Sequence, residues 1–214
     1  MKVIAVLSQK GGVGKTTLAT CLAVAAQADG KQAAIIDLDP QATAAAWADT
    51  RLEASGIAEP VVQSIQYVRL SPTLKAAAAN GADWVIIDGA AVARDVAHAA
   101  ASVADLILIP TRAALFDTIS MAHTLDLARQ LDKQAAVVLT HVAPRGAEAE
   151  EARQGVADLG GQMCPVTIGL RKAFSRAQTE GLTAQEFEPN GAAAREVAAL
   201  YAYVDQVLGG MGHG

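Results

Sequence analysis

Short apolar runs alternate along the chain with longer segments in which apolar residues recur every three or four positions. The runs predict buried strands over residues 3–7, 32–36, 61–65 or 67–70, 83–88, 106–110, 135–140 and 163–168. The longer segments predict helices over residues 18–28, 43–54, 71–79, 93–102, 117–131, from 148 to the glycines at 160 and 161, and 193–208. Alternating strands and helices predict an α/β fold, with a doubly wound, mostly parallel sheet flanked by helices.

A glycine-rich turn joins the first predicted strand to the first helix, with the sequence Lys10-Gly11-Gly12-Val13-Gly14-Lys15-Thr16-Thr17. Glycines let several backbone N–H groups approach one anion, and the new helix adds its positive end. In such a loop Lys15 places an ammonium on the β- and γ-phosphates, and the Thr16 hydroxyl ligates Mg²⁺. A turn that merely links a strand to a helix is disfavoured, because the lysine and threonines follow the glycines in the required order. The sequence therefore predicts a P-loop NTPase.

The loop departs from the common P-loop pattern at one position, where Gln9 replaces a glycine. Lys10 instead opens the run K-G-G-x-G-K-T-T, which resembles the signature-lysine P-loop of the ParA/MinD family of ATPases. The resemblance implies the signature-lysine branch of the P-loop fold, ATP hydrolysis, and ATP with Mg²⁺ as cofactors bound at residues 10–17. It also implies that Lys10 reaches across a dimer interface to the partner's nucleotide.

Two carboxylates, Asp37 and Asp39, follow the second predicted strand, and Pro40 ends its regular pairing. Ligands of open α/β sheets bind at the carboxyl ends of strands, so we expect both carboxylates near the P-loop. A polar turn capped by an aspartate is the other interpretation. The stretch is similar to the D-x-D-P-Q switch region of ParA proteins. That similarity implies that Asp39 positions the attacking water and that Asp37 helps at the Mg²⁺ site.

Asp88 ends the apolar strand that begins near Trp84, which is typical of a Walker B strand holding Mg²⁺. The signal is weak alone, because apolar strands often end in aspartate, but it gains force beside a P-loop. We therefore expect Thr16, Asp37 and Asp88 around the metal. The following Gly89-Ala90-Ala91 is closest to the D-G-A form of small plasmid partition ATPases, which implies a second switch loop.

Length, charge and cysteine content narrow the setting. The 214 residues fit one P-loop ATPase domain over residues 1–208, followed by a flexible tail over 209–214. The net charge of −5 excludes a uniformly basic nucleic-acid-binding protein. Cys21 and Cys164 lie far apart without a C-x-x-C motif, so we expect two small buried residues rather than a metal site. Neither a signal peptide nor a membrane-spanning run is evident, and we expect a cytoplasmic protein.

The resemblance further implies a cycle on DNA. Because the P-loop begins within ten residues of Met1, the chain resembles short ParA-type partition ATPases without an N-terminal helix-turn-helix domain. Such a protein forms an ATP-sandwich homodimer, binds DNA without sequence preference, associates with the nucleoid, and is stimulated by a centromere- or cargo-bound activator. The cargo would be a plasmid, a chromosome, a carboxysome, a chemoreceptor cluster or a conjugation complex. The best basic cluster for DNA is Arg171, Lys172 and Arg176, spaced to share one side of a short helix.

Other functions remain as alternatives or are disfavoured. A metabolic P-loop ATP-dependent synthetase or kinase is the alternative of a different class. A MinD-like positioning ATPase bound to membrane is disfavoured, because residues 203–214 contain no lysine or arginine for a basic amphipathic helix. A dinucleotide-binding dehydrogenase would need glycine where Thr17 stands. A nitrogenase-type iron protein would need paired cysteines for its cluster.

Overall fold

A computed structural model describes residues 1–90, 93–113, 115–143 and 148–210, and the side chains of residues 115–119 are outside that description. Six strands are assigned within these residues: β1 (Lys2–Val6), β2 (Ala33–Asp37), β3 (Val61–Ser64), β4 (Trp84–Asp88), β5 (Leu106–Arg112) and β6 (Gln134–Thr140). The helices are α1 (Lys15–Ala28), α2 (Thr43–Ser55), α3 (Leu70–Ala79), α4 (Arg94–Val103), α5 (Leu115–Gln130), α6 (Glu148–Asp158), α7 (Lys172–Thr179), α8 (Ala184–Phe187) and α9 (Ala192–Gly210). A 3₁₀ turn spans Tyr67–Arg69.

The strands form one parallel sheet in the order β3-β2-β4-β1-β5-β6. The predicted doubly wound α/β fold is therefore confirmed. In the register of the sheet, Asp88 lies opposite Val6 on one neighbouring strand and opposite Asp37 on the other. The end of β1, from which the glycine-rich loop departs, and both carboxylates thus meet at one edge of the sheet.

Successive side chains of the central strands point to opposite faces of the sheet, and an apolar core lies on each face. Ile4 of β1 belongs to the core covered by α1, α2 and α9, whereas Val3 and Ala5 belong to the core covered by α3, α4 and α5. The alanine-rich α1 buries one side completely, which lets its backbone lie close to the sheet. The last helix has a buried apolar stripe at helical spacing, formed by Val197, Leu200, Val204 and Leu208.

The predicted strand over residues 163–168 is wrong. This segment runs beside β6 but makes only isolated bridges in the described structure, between Val137 and Met163 and between Val142 and Gly169. Its backbone bonds β6 through the N–H groups of Cys164 and Ile168, at 2.8 Å each. These N–H groups bond the carbonyls of Val137 and Leu139, which are two residues apart on β6, whereas Cys164 and Ile168 are four apart. The segment therefore bulges around Pro165 instead of forming a regular ladder.

Several boundaries differ from the sequence prediction. The alternative third strand at 67–70 is wrong, because these residues form the 3₁₀ turn and the first turn of α3. The helix predicted to start at Asp117 begins at Leu115, and a capping role for the Asp117 side chain lies outside the described residues. The predicted tail includes Gly209 and Gly210, which belong to α9, and residues 211–214 are not described.

Both cysteines are buried, as expected from the sequence. Burial raises the pKa of the Cys21 thiol to about 12 and that of Cys164 to about 11, so both are unreactive at neutral pH. Across the described residues, none of the helices combines the length and apolar character that a membrane crossing would need.

Candidate nucleotide site

The glycine-rich loop has the backbone of an anion-binding turn. Gly12 and Gly14 adopt positive φ angles of 71° and 90°, a conformation that side-chain-bearing residues rarely adopt. The first hydrogen bond of α1 runs from the Leu18 N–H to the Gly14 carbonyl at 2.9 Å. The N–H groups of residues 15–17 therefore point into the loop without a partner within the helix. Thr140 at the end of β6 anchors the loop, since its hydroxyl donates to the Val13 carbonyl at 2.9 Å.

Lys15 is held back over this loop. Its Nζ donates to the Lys10 carbonyl at 3.3 Å, and the residue is only 8% exposed. Burial lowers the pKa of Lys15, while the charges of Asp88 and Asp39 act in the opposite direction. An ammonium that is partly desolvated in this way gains strongly from an added anion. The site therefore favours binding of a phosphate between the loop and Lys15.

Asp88 and Thr16 form a second feature of the loop. The Thr16 hydroxyl donates to Asp88 Oδ2 at 2.6 Å, and Asp88 Oδ1 is buried without a hydrogen-bond partner among the described residues. The pKa of Asp88 is raised to about 7, mainly by burial. The hydrogen bond from Thr16 lowers this pKa, and the charge of Asp37 raises it. A buried oxygen without a donor, beside a hydroxyl, is the hard-oxygen environment that Mg²⁺ prefers. These residues therefore fit a magnesium ion.

The carboxylate of Asp37 already has partners. Its Oδ1 accepts from the Asp39 N–H at 2.9 Å, and its Oδ2 accepts from the N–H groups of Ala44 and Ala45 at 2.9 and 3.3 Å. Asp37 thus supplies the acceptors for the first turn of α2, which has no capping side chain at its own N-cap position. Burial raises the pKa of Asp37, and the backbone donors oppose that effect.

A cavity of about 570 Å³ lies over the loop. Part of its wall is formed by the glycine-rich loop and part by the turn after β2. The lining residues include Gly14, Lys15, Thr16, Asp39, Gln41 and Gln178. Asp39 is partly exposed to this cavity, and its carboxylate accepts from the Gln41 N–H at 3.0 Å. A phosphate on the loop would therefore face the Asp39 carboxylate across the cavity.

A smaller cavity of about 180 Å³ lies next to the first and is lined in part by α7. Its apolar walls come from Leu18, Ile168 and Phe174, and its polar rim includes Thr17, Thr140 and Gln178. Gly14 and Gln178 line both cavities. The two spaces together have the division a nucleotide needs, with a polar end for phosphates and an apolar end for a flat ring.

The comparisons with known proteins agree with this geometry. A model for the CobQ/CobB/MinD/ParA nucleotide binding domain matches residues 4–184. A maintenance of carboxysome distribution protein A from Gloeobacter kilaueensis is 34% identical over 210 residues, which cover 97% of this chain and 94% of that protein. The chain belongs to the ParA/MinD family of nucleotide-binding proteins. It is therefore an ATPase, and its cofactors are ATP and Mg²⁺.

A second relative and a solved structure agree with this family and with its fold. A protein ParA from Rhizobium radiobacter is 32% identical over 150 residues, which cover 67% of this chain and 66% of that protein. The septum site-determining protein MinD from Pyrococcus horikoshii, solved with Mg-ADP, has a TM-score of 0.79 at 17% identity. That similarity covers 100% of this chain and 99% of the solved chain, and it supports the ParA/MinD fold.

The structure brings most of the predicted site residues of this ParA/MinD ATPase together. The loop residues Gly11 to Thr17, Asp37, Asp39 and Asp88 converge at one edge of the sheet. Lys10 lies at the start of the loop and is partly exposed. Its reach toward a partner's nucleotide stays a prediction, as do the individual roles of Asp37 and Asp39.

The predicted basic cluster is divided by the structure. Arg171 Nη2 lies 2.6 Å from Glu196 Oε1, and Arg171 lines the smaller cavity. Lys172 and Arg176 are exposed on α7 and are four residues apart, so they share one face of the helix. Arg171 thus contributes less positive charge to the surface than its sequence position suggested.

Sequence reasoning missed Thr140 and Gln178. Thr140 ends a strand on the ligand side of the sheet, and this position could have singled it out. Gln178 bonds Thr17, which is 161 residues earlier in the chain, and no local pattern marks such a contact.

Proposed function

We propose that the protein is a ParA-type positioning ATPase. Mg-ATP closes a sandwich dimer, the dimer binds DNA without sequence preference, and an activator on the cargo stimulates hydrolysis and release. The observation that carries the proposal is a cavity of about 570 Å³ that is lined by both the phosphate loop and Asp39. The family, the predicted switch region and the isolated cation face of α7 support the further steps.

Hydrolysis follows from the arrangement of the cavity walls. The N–H groups of the loop and Lys15 stabilise charge on the β- and γ-phosphates, and Thr16 with Asp88 would hold Mg²⁺ against them. The metal ion, when bound, neutralises phosphate charge. Asp39 stands on the facing wall, where its carboxylate can accept a hydrogen bond from a water molecule and orient it toward the γ-phosphate.

Base binding is assigned to the smaller cavity. Leu18 and Ile168 provide buried apolar surface, and Phe174 adds an aromatic ring at its wall. Such walls favour a flat, apolar ring over a bare phosphate. The cavity opens beside Thr17, directly after the phosphate loop, so one ATP molecule can occupy both spaces.

Dimer closure is assigned to Lys10. Lys10 lies at the start of the glycine-rich loop, next to Gly11 of the cavity wall, with a partly exposed side chain. In a two-fold arrangement of loops that face each other, a lysine at this place can reach the phosphates bound by the other copy. A monomer would leave one side of the phosphates in water.

DNA binding is assigned to α7 around Lys172 and Arg176. The chain carries a net charge of −5, so DNA repels it at long range and only a concentrated cation face can bind. Each chain offers two exposed cations on this face, since Arg171 is paired with Glu196. Two copies in a dimer double the number of phosphate contacts, and avidity makes the dimer bind far more tightly than the monomer. ATP dependence of DNA binding follows from this arithmetic, and the ATP-bound form would associate with the nucleoid.

The relatives suggest the class of cargo. One relative is named for carboxysome distribution and another is named ParA, and the first name supports a large cargo as the object that is positioned. The partner would be a protein bound to that cargo, whether at a plasmid or chromosome centromere complex or at another assembly. Its binding would stimulate ATP hydrolysis and release the dimer from DNA.

The test is a DNA-binding titration with ATP–Mg²⁺, ADP–Mg²⁺ or no nucleotide on arbitrary duplex DNA. We expect binding with ATP only, and we expect it to fall steeply as salt increases. The variant Lys172→Glu/Arg176→Glu should lose binding while still dimerising with ATP, as measured by light scattering. Lys75→Glu/Lys133→Glu makes the same charge change elsewhere and should bind more strongly than the α7 variant.

Two further variants separate the steps of the cycle. Lys10→Ala should bind ATP as a monomer and fail to dimerise, whereas Asp39→Ala should dimerise and hydrolyse ATP at least about 100-fold more slowly. If the wild type never binds DNA with ATP, the positioning function is refuted and a metabolic ATP-dependent synthetase or kinase becomes the better assignment. If the wild type binds DNA with ATP and Lys172→Glu/Arg176→Glu binds it equally well, the DNA-binding surface lies elsewhere on the dimer.

A further inference from the structure

Gln178 lies at the border between the two cavities. Its amide Nε2 donates to the Thr17 hydroxyl at 2.9 Å, and it lines both cavities together with Gly14. A nucleotide with its phosphates on the loop and its base in the smaller cavity would cross this border, which Gly14 and Gln178 line. The part that passes this point is the ribose with the α-phosphate.

The Gln178 amide has the groups that this part of a nucleotide can bind. One N–H is committed to Thr17, and the amide carries a second N–H and a carbonyl oxygen. Ribose hydroxyls donate and accept hydrogen bonds, and the α-phosphate accepts them. A neutral amide can therefore contact either group without repelling the phosphate charge.

The backbone that carries Gln178 is fixed in place. Ala173 and Ala177 of α7 are buried, and after α7 the backbone at Gly181 packs directly on the backbone of α2 at Arg51. Phe174 and Gln178 are four residues apart, so both face the smaller cavity from one side of the helix. The amide thus starts from a defined position, as a positioning residue requires.

We propose that Gln178 is a nucleotide-positioning residue that binds the ribose, next to the α-phosphate, and distinguishes complete nucleotides from bare polyphosphate. The proposal rests on ATP binding at the P-loop. It does not depend on DNA binding or dimer closure. Gln178 orients the nucleotide and touches none of the atoms that react.

The experiment compares three ligands on two variants by calorimetry: ATP–Mg²⁺, ADP–Mg²⁺ and tripolyphosphate–Mg²⁺. Gln178→Leu should bind ATP and ADP about 3- to 10-fold more weakly, which is the effect of one or two lost hydrogen bonds. It should bind tripolyphosphate within about 2-fold of wild type, because this ligand has neither ribose nor base. Gln162→Leu removes the same amide from an exposed position and should leave all three affinities unchanged.

Kinetics give a second readout that a structural role would not produce. For ATP hydrolysis, Gln178→Leu should raise KM by about 3- to 10-fold and leave kcat within about 2-fold, because ground state and transition state lose the same contact. Gln178→Glu keeps the size of the side chain, replaces the N–H that donates to the Thr17 hydroxyl with a carboxylate oxygen, and adds a negative charge beside the α-phosphate. It should therefore bind ATP more weakly than Gln178→Leu.

The outcomes separate cleanly. Equal losses for ATP and tripolyphosphate would overturn the proposal, because Gln178 would then act only on the phosphate loop through Thr17. Unchanged ATP and ADP affinity in Gln178→Leu would also overturn it. If wild type binds tripolyphosphate but no ATP, the assignment of the smaller cavity to the base fails first, whereas a wild type that binds neither refutes the nucleotide site itself.

Discussion

The buried ion pair between Arg51 of α2 and Glu186 of α8 gives a quantitative test of how the site is supported. Arg51 is 4% exposed, and its guanidinium binds the Glu186 carboxylate through two bonds of 2.6 and 2.9 Å. The same guanidinium donates to the carbonyls of Glu59 at 2.7 Å and Gly181 at 3.1 Å. It therefore joins the helix that follows the Asp37–Asp39 turn to the segment that follows α7.

Arg51→Met keeps most of the stem and removes all four bonds. Loss of one partner from a buried pair costs about 3–5 kcal/mol, because the other charge is left buried without compensation. The Glu186 side chain is 26% exposed, so water can reach it and we expect the lower end of that range, about 3 kcal/mol. For a domain of this size that corresponds to a fall in Tm of about 6–12 °C.

Thermal unfolding followed by circular dichroism is the assay. Arg153→Met is the matched control, because Arg153 pairs with Glu150 at 3.3 Å on the surface, with side chains 40% and 82% exposed. Such pairs contribute about 0–1 kcal/mol. The double variant Arg51→Met/Glu186→Gln should be more stable than Arg51→Met alone, because it no longer buries an unpaired charge. Equal Tm values for Arg51→Met and Arg153→Met would refute the reasoning.

The pH dependence supplies an independent check on the same pair. Burial alone would raise the pKa of Glu186, but hydrogen bonds from Arg51 and Thr183 hold it below its usual value of 4.5. A carboxyl with a lowered pKa in the folded state stabilises above its unfolded pKa, and the contribution disappears as pH falls through the folded value. The gap in Tm between wild type and Arg51→Met should therefore be full at pH 7 and narrow below about pH 4.5.

The other predictions concern close packing, a surface cluster and the metal site. Gly181→Ala should lower the Tm far more than Gly56→Ala, because a Cβ at Gly181 would lie 2.3 Å from the α2 backbone while one at Gly56 meets nothing within 4 Å; similar Tm values would contradict that contact. Lys31→Met should lower the free energy of unfolding by about 1 kcal/mol, or the Tm by about 2–4 °C, because Lys31 loses its ion pairs with the half-exposed Asp29 and Asp205 and its contact with the Trp84 ring. An unchanged Tm would contradict this. Asp88→Asn should stay folded and lose Mg²⁺-dependent ATP hydrolysis by about 100-fold or more, and retained turnover would remove Asp88 from the metal site.

Local patterns predicted the fold and the centre of the site, because their causes lie close together in the sequence. Strands β1, β2 and β4 are apolar over consecutive residues, and the glycines of the loop precede Lys15 in a fixed order. The carboxyl ends of parallel strands meet at one edge, so Asp37 and Asp88 could be brought together without coordinates.

The sequence could not predict contacts between distant segments. Arg171 and Glu196 are 25 residues apart in the sequence. Their pairing reduces the positive charge that Arg171 adds to the predicted basic cluster. The Gln178–Thr17 bond joins segments that are 161 residues apart. The segment at 163–168 has the composition of a strand, but its two bonds to β6 are four residues apart on the segment and two apart on β6, and no local pattern marks this mismatch.

Charge explains why nucleotide and metal should bind this site together. Asp37 and Asp88 are partners in register on neighbouring strands. The charged form of each is disfavoured by burial and by neighbouring acidic charge. Lys15 is the cation that acts on Asp88, and it is itself disfavoured by burial. ATP alone would bring its negative phosphates close to these carboxylates. Mg²⁺ alone would leave the loop N–H groups and Lys15 without an anion. Bound together, the metal would be held by the carboxylate of Asp88 and the phosphates by Lys15, so each would remove the electrostatic obstacle to the other.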